Sequence, residues 1–264
     1  MAYELQTFKD VTLLITHFNR SNSLERLFKN FSDLNIFFGE IIVSDDASSE
    51  SHLAHLRNLQ NVYGFKLLTT PINRGLANNI NKGQDAVTMP YTLYVQEDFV
   101  PCMEFKTGFK NAKEFMDQDS SIDISRFYAY LRYPYLKPYG RGFSLMLYKP
   151  WYLNTNKIYH YSDHPHLRRS NFFERFGRYV EGIKSDKAEY EMSISFIRNK
   201  GKALFFDEFK SLFTQENSSD EPSTVRRNQL RMSNGVLISS IRTVYRQIKF
   251  NYDLHLRPKM SKND

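Results

Sequence analysis

Residues 91–101 of this chain are Tyr91-Thr92-Leu93-Tyr94-Val95-Gln96-Glu97-Asp98-Phe99-Val100-Pro101. The apolar run that ends at Val95 is typical of a buried strand, and an acidic pair follows one residue later. Carboxylates at the mouth of a buried strand are unfavourable unless a charge or hydrogen bonds compensate them. A divalent cation that carries a phosphorylated ligand would compensate Glu97 and Asp98, because hard cations prefer oxygen ligands. The alternative is a solvated acidic turn that binds nothing.

The chain before residue 91 alternates between predicted strands and predicted helices. Strands are predicted at residues 11–18, 40–44 and 65–68, and the segments between them have helical apolar spacing. This alternation predicts an α/β fold with a mainly parallel sheet flanked by helices. Such sheets bind ligands outside the carboxyl ends of their strands. The predicted carboxyl ends all carry polar residues: Thr16 to Asn19, Asp45-Asp46, Asn73-Arg74 and Glu97-Asp98. The sequence therefore predicts a binding site at that edge.

The second half of the chain is less regular. Its predicted elements are helices at 105–116 and 188–198, strands at 126–131, 143–148 and 202–206, and a polar, aromatic loop at 159–166. Polar residues from 215 to 223 indicate a soft domain boundary. Residues 225–258 combine basic residues with apolar ones at helical spacing, which predicts a basic amphipathic helical tail.

Composition favours a soluble enzyme-sized domain with anionic partners. The 264 residues are 41% hydrophobic and 25% charged, with a net charge of +7. The single cysteine, Cys102, cannot form an internal disulfide, which fits a reducing compartment. We find no membrane-span-length apolar run and no signal-peptide pattern at the N-terminus, so a cytoplasmic location is expected.

Four ordered motifs carry a family resemblance: Thr-x-Phe-Asn at 16–19, Val-Ser-Asp-Asp-Ala-Ser at 43–48, Asn-Arg-Gly-Leu-Ala at 73–77, and the acidic triplet before Val100-Pro101. Together they resemble the inverting glycosyltransferases of family 2, which have the Rossmann-like GT-A fold. The resemblance is good over residues 11–101 and weaker up to about 206. It implies a GT-A domain at 1–214, with a nucleotide-sugar-binding half at 1–101 and an acceptor-binding half at 102–214. Residues 215–264 would form the basic helical extension.

The resemblance also implies roles for matching residues in binding a nucleotide-sugar donor, most simply a UDP-sugar. Asp98 would be the direct ligand of Mn²⁺ or Mg²⁺, and Glu97 would contact the sugar or ribose. Gln96 departs from the family's usual carboxylate, which lowers the charge of the metal motif. The remaining implied donor-binding residues are Thr16, Phe18 and Asn19 near the base, Asp45 as acceptor of a hydrogen bond from the base, Asp46 beside it, and Asn73 and Arg74 near the base and diphosphate.

A catalytic base is expected in the second half, because an acceptor hydroxyl must lose its proton as it attacks. The family's acidic helix start is matched best by residues 188–192, which makes Glu189 the first candidate, with Asp163 and Glu181 as rivals. Within the polar loop and just after it, His164 is a candidate metal ligand and Arg168 a candidate for holding an acceptor phosphate. Trp151 is a candidate platform for stacking a sugar acceptor.

Two other functions share some of these features. A sugar nucleotidyltransferase would have a similar fold, but residues 17–22 lack the glycine-rich loop that such enzymes usually carry. A non-catalytic nucleotide- or anion-binding scaffold fits the positive charge, whereas nucleic acid is not expected as a partner. The proposed acceptor is a glycan or a lipid-linked sugar in surface polysaccharide or lipopolysaccharide synthesis. The basic tail is expected to touch an anionic membrane, with packing on its own domain or in a homodimer as the alternatives.

Overall fold

The first four strands alternate with three helices along the chain. The computed structural model describes residues 5–217, 221 and 236–258. The elements of the first half are β1 (Gln6–His17), α1 (Ser21–Asp33), β2 (Ile36–Asp45), α2 (Glu50–Tyr63), β3 (Lys66–Leu68), α3 (Leu76–Asp85) and β4 (Tyr91–Gln96). Every strand and helix predicted before residue 101 is present, and the strands begin up to five residues earlier than the apolar runs suggest.

The second half adds shorter strands, four more α-helices and a 3-10 helix among the described residues. They are β5 (Phe99–Pro101), α4 (Phe105–Gln118), β6 (Ile124–Arg126), β7 (Leu136–Gly140), β8 (Phe143–Met146), a 3-10 helix (Thr155–His160), β9 (His166–Arg169), α5 (Phe172–Phe176), α6 (Ser185–Arg198), β10 (Ala203–Phe206), β11 (Phe213–Gln215) and α7 (Val236–His255).

Nine of the described strands form one mixed sheet in the order β3-β2-β1-β4-β9-β6-β10-β8-β7. The strands β1 to β4 pair in parallel, and β9 is inserted antiparallel between β4 and β6. A separate antiparallel pair joins β5 to β11. The predicted α/β class with a mainly parallel, mixed sheet is therefore confirmed.

Helices cover both faces of the sheet, because the central strands are apolar on both sides. In β1, Leu13 and Ile15 pack with α1, α2 and α4, whereas Leu14 packs with α3 and α6 on the opposite face. Such continuous burial is typical of parallel strands covered on both faces. Helix α3 comes especially close to the sheet at Gly83, where a Cβ would lie 2.5 Å from a methyl carbon of Leu14.

The predicted strand at 126–131 is shorter than expected. It ends at Arg126, because the next backbone amides are bonded outside the sheet: Phe127 donates to Pro165 (3.0 Å) and Ala129 to Phe209 (3.1 Å). The predicted loop at 159–166 also differs. Its start belongs to the 3-10 helix, and His166 begins the central strand β9.

The predicted boundary near residue 215 falls at the end of β11. Gln215 belongs to that strand, and its side chain donates to Asp98 across the β5–β11 pair (2.8 Å). The polar segment that was predicted to follow lies mostly outside the described residues. The predicted tail helix is present as α7, although residues 225–235 of that prediction also lie outside them. None of the helices in the described part has the length and apolarity needed to cross a bilayer.

Candidate active site

The polar ends of β1, β2 and β4 lie side by side at the carboxyl edge of the sheet. In the register, His17 of β1 pairs with Asp45 of β2, and Thr16 pairs with Gln96 of β4 on the other side. Residues more than 25 positions apart in the chain are thus brought to one rim. This is the arrangement that the sequence pattern predicted.

Asp45 is fully buried and already engaged by protein donors. His17 Nδ1 lies 2.8 Å from Asp45 Oδ1, and the backbone amide of Ser48 donates to Oδ2 (3.0 Å). His17 Nε2 accepts from the amide of Arg20 (3.2 Å), so the ring proton sits on Nδ1 and points at Asp45. Burial alone would raise the pKa of Asp45, but the hydrogen bonds from His17 and Ser48 outweigh it and lower that pKa. A nucleobase that used Asp45 as an acceptor would have to replace one of these donors.

Asp46 and Asn19 connect the turns that follow the first three strands. The Asp46 carboxylate accepts the backbone amides of Arg74 (2.8 Å) and Gly75 (2.7 Å), just before α3. Asn19 Oδ1 accepts the amide of Ser49 (2.8 Å), with φ of 53° at Asn19, a conformation that asparagine tolerates better than most residues. These side chains therefore hold the rim in shape.

Glu97 and Asp98 are both buried, and Arg20 is the cation that compensates them. Arg20 Nη1 lies 3.2 Å from Asp98 Oδ2 and 3.7 Å from Glu97 Oε1. Burial, reinforced by the charge of Asp98, raises the pKa of Glu97 to about 8 against the opposing effect of Arg20. Arg20 is not among the site residues that the sequence predicted. The available signal was its place directly after β1, the neighbour of β4.

One atom of the acidic turn has no partner among the described protein atoms. Asp98 Oδ2 receives Arg20 and Gln215, but the buried Oδ1 accepts no hydrogen bond. Buried carboxylate oxygens are rarely left unpaired, so this atom is suited to a ligand or cation. Mg²⁺-type sites often use one or two carboxylates and complete the coordination with phosphate oxygens and water. The described residues hold no cluster of three His, Cys, Asp or Glu side chains that could bind a metal alone. Asp98 therefore fits a metal that arrives with a diphosphate.

His164 lies beside the strand that follows Asp98. Its ring centroid is 6.0 Å from that of Phe99 and 4.6 Å from that of Tyr130, and its Nδ1 is 2.9 Å from Ser162 Oγ. The structure thus brings His164 near the acidic turn, where the sequence predicted it.

Gln96 links the acidic turn to the predicted catalytic acids. Its Nε2 donates to the backbone carbonyl of Asp163 (3.2 Å), and the amide of Asp163 donates to Glu189 Oε1 (3.0 Å). A carboxylate at position 96 could not donate to that carbonyl. This contact is a physical reason for the amide that replaces the family's usual acid.

Glu189 and Asp163 meet but have different environments. Asp163 is buried, accepts a hydrogen bond from the Tyr179 hydroxyl, and has a pKa raised well above its usual value by burial and by the charge of Glu189. Glu189 lies half-buried at the start of α6. Arg126, buried nearby, is close enough to both carboxylates for its charge to interact with them. Glu189 on α6 is therefore partly accessible to solvent, whereas Asp163 is enclosed by the protein.

Glu181 is held by donors from around the start of α3. Asn78 Nδ2 donates to its Oε2 (2.7 Å), Asn81 Nδ2 to its Oε1 (2.9 Å), and Arg74 Nη2 lies 3.4 Å from Oε2. Both carboxylate oxygens of Glu181 therefore already accept hydrogen bonds from protein donors. Arg74 remains half-exposed, beside a cleft of about 1290 Å³ between α3, α5 and α6 whose lining includes neither Asp98 nor Glu189.

The other predicted residues are either enclosed by the protein or lie at some distance from the acidic turn. Arg168 is fully buried in β9 and donates to Gln84 Oε1 (2.6 and 3.1 Å), so the prediction that it holds an acceptor phosphate is wrong for this conformation. Thr16 is also buried, with its hydroxyl 3.1 Å from that of Tyr94. Among the described residues, no hydrogen bond or ring contact joins Trp151 to the acidic turn; Lys149 lies 5.5 Å from its ring. Phe18 is half-buried and Asn73 exposed, both beside the rim.

Three solved structures with a similar fold are distant from this chain in sequence. S. aureus TarS (residues 1–349, in complex with UDP-GlcNAc) superposes with a TM-score of 0.60 at 15% identity, covering 96% of this chain and 69% of that one. The mannosyltransferase PcManGT from Pyrobaculum calidifontis, in complex with GDP-Man and Mn²⁺, gives 0.52 at 13% identity, covering 76% of this chain and 56% of that one. GalNAc-T7 with UDP, GalNAc and Mn²⁺ gives 0.55 at 13% identity, covering 75% and 42%. At these identities the likeness concerns the fold.

The comparison with curated protein sequences found no match. The family model described as glycosyl transferase family 2 matches residues 12–177, more than half of the chain. That range begins in β1 and includes every strand end of the rim as well as Asp163. This chain, with its acidic turn and enclosed carboxylates, belongs to glycosyl transferase family 2 and is a glycosyltransferase.

Proposed function

We propose that this glycosyltransferase transfers a sugar from a nucleoside-diphosphate sugar, with uridine as the base, to a hydroxyl group with inversion at the anomeric carbon. The main support is the unpartnered, buried Asp98 Oδ1 at the carboxyl edge of the sheet. The structural neighbours that were solved with UDP, UDP-GlcNAc or GDP-Man add support for this class of donor. The acceptor that we propose is a glycan or a lipid-linked sugar in surface polysaccharide or lipopolysaccharide synthesis.

The donor diphosphate is the group that the acidic turn is suited to receive. Asp98 would hold Mn²⁺ or Mg²⁺, which, when bound, would neutralise charge on the leaving diphosphate. Arg20 keeps Glu97 and Asp98 together beneath that position and offsets part of their repulsion. The exposed guanidinium of Arg74, on the opposite side of the rim, is suited to a phosphate or ribose through its planar donor fork.

Glu189 is the proposed base for the acceptor hydroxyl. A base must reach the hydroxyl and be ionised at the working pH. Asp163 is buried and its raised pKa favours the protonated form, whereas Glu189 is half-exposed. The amide of Asp163 fixes one oxygen of Glu189, and the other oxygen would accept the proton. A single attack assisted by one base inverts the configuration of the anomeric carbon.

Donor binding and metal dependence can be tested together. We expect UDP to bind with measurable heat in the presence of Mn²⁺ and much more weakly after chelation. Asp98→Asn should keep the fold and lower turnover by roughly 10²-fold or more, the usual scale for losing one strong electrostatic group at an active site. Asp33→Asn, an exposed carboxylate at the end of α1, is the matched control. Normal turnover of Asp98→Asn in a screen of nucleotide sugars would refute the proposed site.

The base is tested separately. Glu189→Gln should abolish transfer and keep UDP binding, because the amide retains the bond from Asp163 but cannot take a proton. Anomeric configuration of the product, read by NMR, tests inversion. If Glu189→Gln remains active and Asp163→Asn does not, Asp163 is the base instead.

A further inference from the structure

The C-terminal helix α7 is docked on the domain by one of its faces. Phe250 and Leu254 are buried against Ile194 and Ile197 of α6. The Arg198 guanidinium donates to the carbonyl of Leu254 (2.8 Å) and to other carbonyls at the C-terminal end of α7. These contacts fix which side of α7 faces outward.

The charges between α6 and α7 are paired with each other. Asp253 receives the ammonium of Lys249 and the Tyr190 hydroxyl (2.6 Å), and Glu191 is paired with Arg257. Asp253 is the single acidic residue among positions 244–258, which also contain Arg246, Lys249 and Arg257. The acidic groups in this region are therefore directed inward.

The outward face of α7 is apolar. Five side chains there are each 52–73% exposed: Val244, Tyr245, Ile248, Tyr252 and Leu256. At helical spacing they occupy a continuous arc of about 120°, directly opposite Phe250 and Leu254. Lys249 lies at the edge of this arc and the exposed His255 lies within it, whereas Arg246 lies nearer to the buried Phe250. A helix with a buried face, an exposed apolar face and a basic border has the pattern of helices that lie in a membrane interface.

A neighbouring loop extends the same surface. Residues 149–153 contact α7 through Gln247, whose Nε2 donates to the carbonyls of Tyr152 (3.4 Å) and Leu153. Trp151 and Leu153 are 70% and 82% exposed, and the Lys149 ammonium lies 5.5 Å from the Trp151 ring. Tryptophan and lysine next to each other are typical of the boundary between lipid and water.

The sequence around this loop contains no carboxylate. No Asp or Glu occurs between Asp123 and Asp163, and within this stretch Lys149 is exposed beside Trp151. The acids nearest to α7, Asp253 and Glu191, are buried and paired. An exposed apolar surface with basic side chains and no exposed carboxylate beside it would repel a second copy of itself and attract an anionic layer. The charge of this surface therefore favours an anionic membrane over a second copy of the protein as its partner.

We propose that the outer face of α7 together with residues 149–153, here called the α7 surface, binds the anionic phospholipid surface of a membrane. The apolar side chains would enter the headgroup region while Lys149 and Lys249 meet lipid phosphates. The α7 surface would then hold the protein at the membrane. The proposal rests on this surface alone and is independent of the donor chemistry.

Vesicle sedimentation of the full 264-residue chain tests the proposal. We expect the protein to sediment with vesicles that contain phosphatidylglycerol and to remain in solution with pure phosphatidylcholine. Lys149→Gln should lower the partition coefficient about fivefold, the effect of one basic side chain near an anionic bilayer. Ile248→Glu should lower it roughly tenfold or more, since it removes apolar contact and adds a negative charge.

Val62→Glu is the matched control, because Val62 is similarly exposed on α2 and the charge change is identical. UDP binding and circular dichroism of Ile248→Glu show whether the variant is folded. Equal sedimentation with both vesicle types, or equal behaviour of Ile248→Glu and Val62→Glu, would overturn the proposal. So would light scattering that shows a dimer dissociated by Ile248→Glu with no vesicle binding, since the α7 surface would then be occupied by a second copy.

Discussion

Replacing Gln96 by glutamate should weaken both the fold and the reaction, although it restores the carboxylate usual in the family. The side-chain amide of Gln96 donates to the backbone carbonyl of Asp163 at 3.2 Å. In glutamate, a carboxylate oxygen would take the place of that donor and would face the carbonyl oxygen, so that two acceptors would oppose each other. Losing a hydrogen bond costs about 1 kcal/mol, and leaving a partly buried acceptor opposed by a negative charge adds about 1–2 kcal/mol. We therefore expect a loss of about 2–3 kcal/mol in the free energy of unfolding.

Thermal unfolding measures this loss directly. For a domain of this size it corresponds to a decrease of about 5–10 °C in the Tm. Gln96→Met is the control, since it removes the donor without adding charge and should cost about 1 kcal/mol. Turnover should fall more in Gln96→Glu than in Gln96→Met, because a displaced Asp163 also releases its amide from Glu189. A Gln96→Glu protein as stable and active as the parent would show that the link between the acidic turn and Asp163 has no importance.

Two further predictions concern other buried groups. Arg20→Met should lower the free energy of unfolding by about 3–5 kcal/mol, because two buried carboxylates lose their cation, and Mn²⁺ should recover more stability in this variant than in the parent. Equal stabilisation of both proteins by Mn²⁺ in a thermal-shift experiment would contradict this role. Burial lowers the pKa of His160 to about 4, below its unfolded value, so stability should be lost as pH falls from 6.5 towards 4. At pH 5 His160 alone should account for a loss of about 2 kcal/mol in the free energy of unfolding. Urea unfolding at pH 7 and pH 5 should therefore show a smaller loss of stability for His160→Gln than for the parent. Equal losses would mean that other groups cause the acid sensitivity.

The first half of the molecule could be predicted well because local pattern and topology agree there. The apolar runs of β1 and β2 are long, helices with regular apolar spacing separate them, and polar residues mark each strand end. Parallel pairing then brings His17, Asp45 and Gln96 to one edge without any further information. Glu189 and Asp163 were named from the sequence only as rival candidates for the base, and their contact was not predicted.

The second half was harder because tertiary contacts override local preference. Strand β9 has the sequence His166-Leu167-Arg168-Arg169, which as an isolated segment resembles an exposed loop. It lies in the middle of the sheet because Gln84 accepts the Arg168 guanidinium and the carbonyls of Ile122 and Met116 accept Arg169. No pattern in the sequence predicts that Arg168 and Arg169 have these partners, because the partners lie far away along the chain.

The sequence alone determined the α/β class and the edge of the sheet where the polar strand ends meet, since these follow from periodicity and from the polarity of strand ends. The tertiary structure alone decided which of these polar groups have protein partners. Asp45 and Asp46 accept hydrogen bonds from nearby donors, and Arg20 is the cation between Glu97 and Asp98. One oxygen of Asp98 has no partner among the described residues. The physical reason is that hydrogen bonds and ion pairs depend on distances of a few ångströms between residues far apart in the chain. Spacing along the chain does not contain those distances.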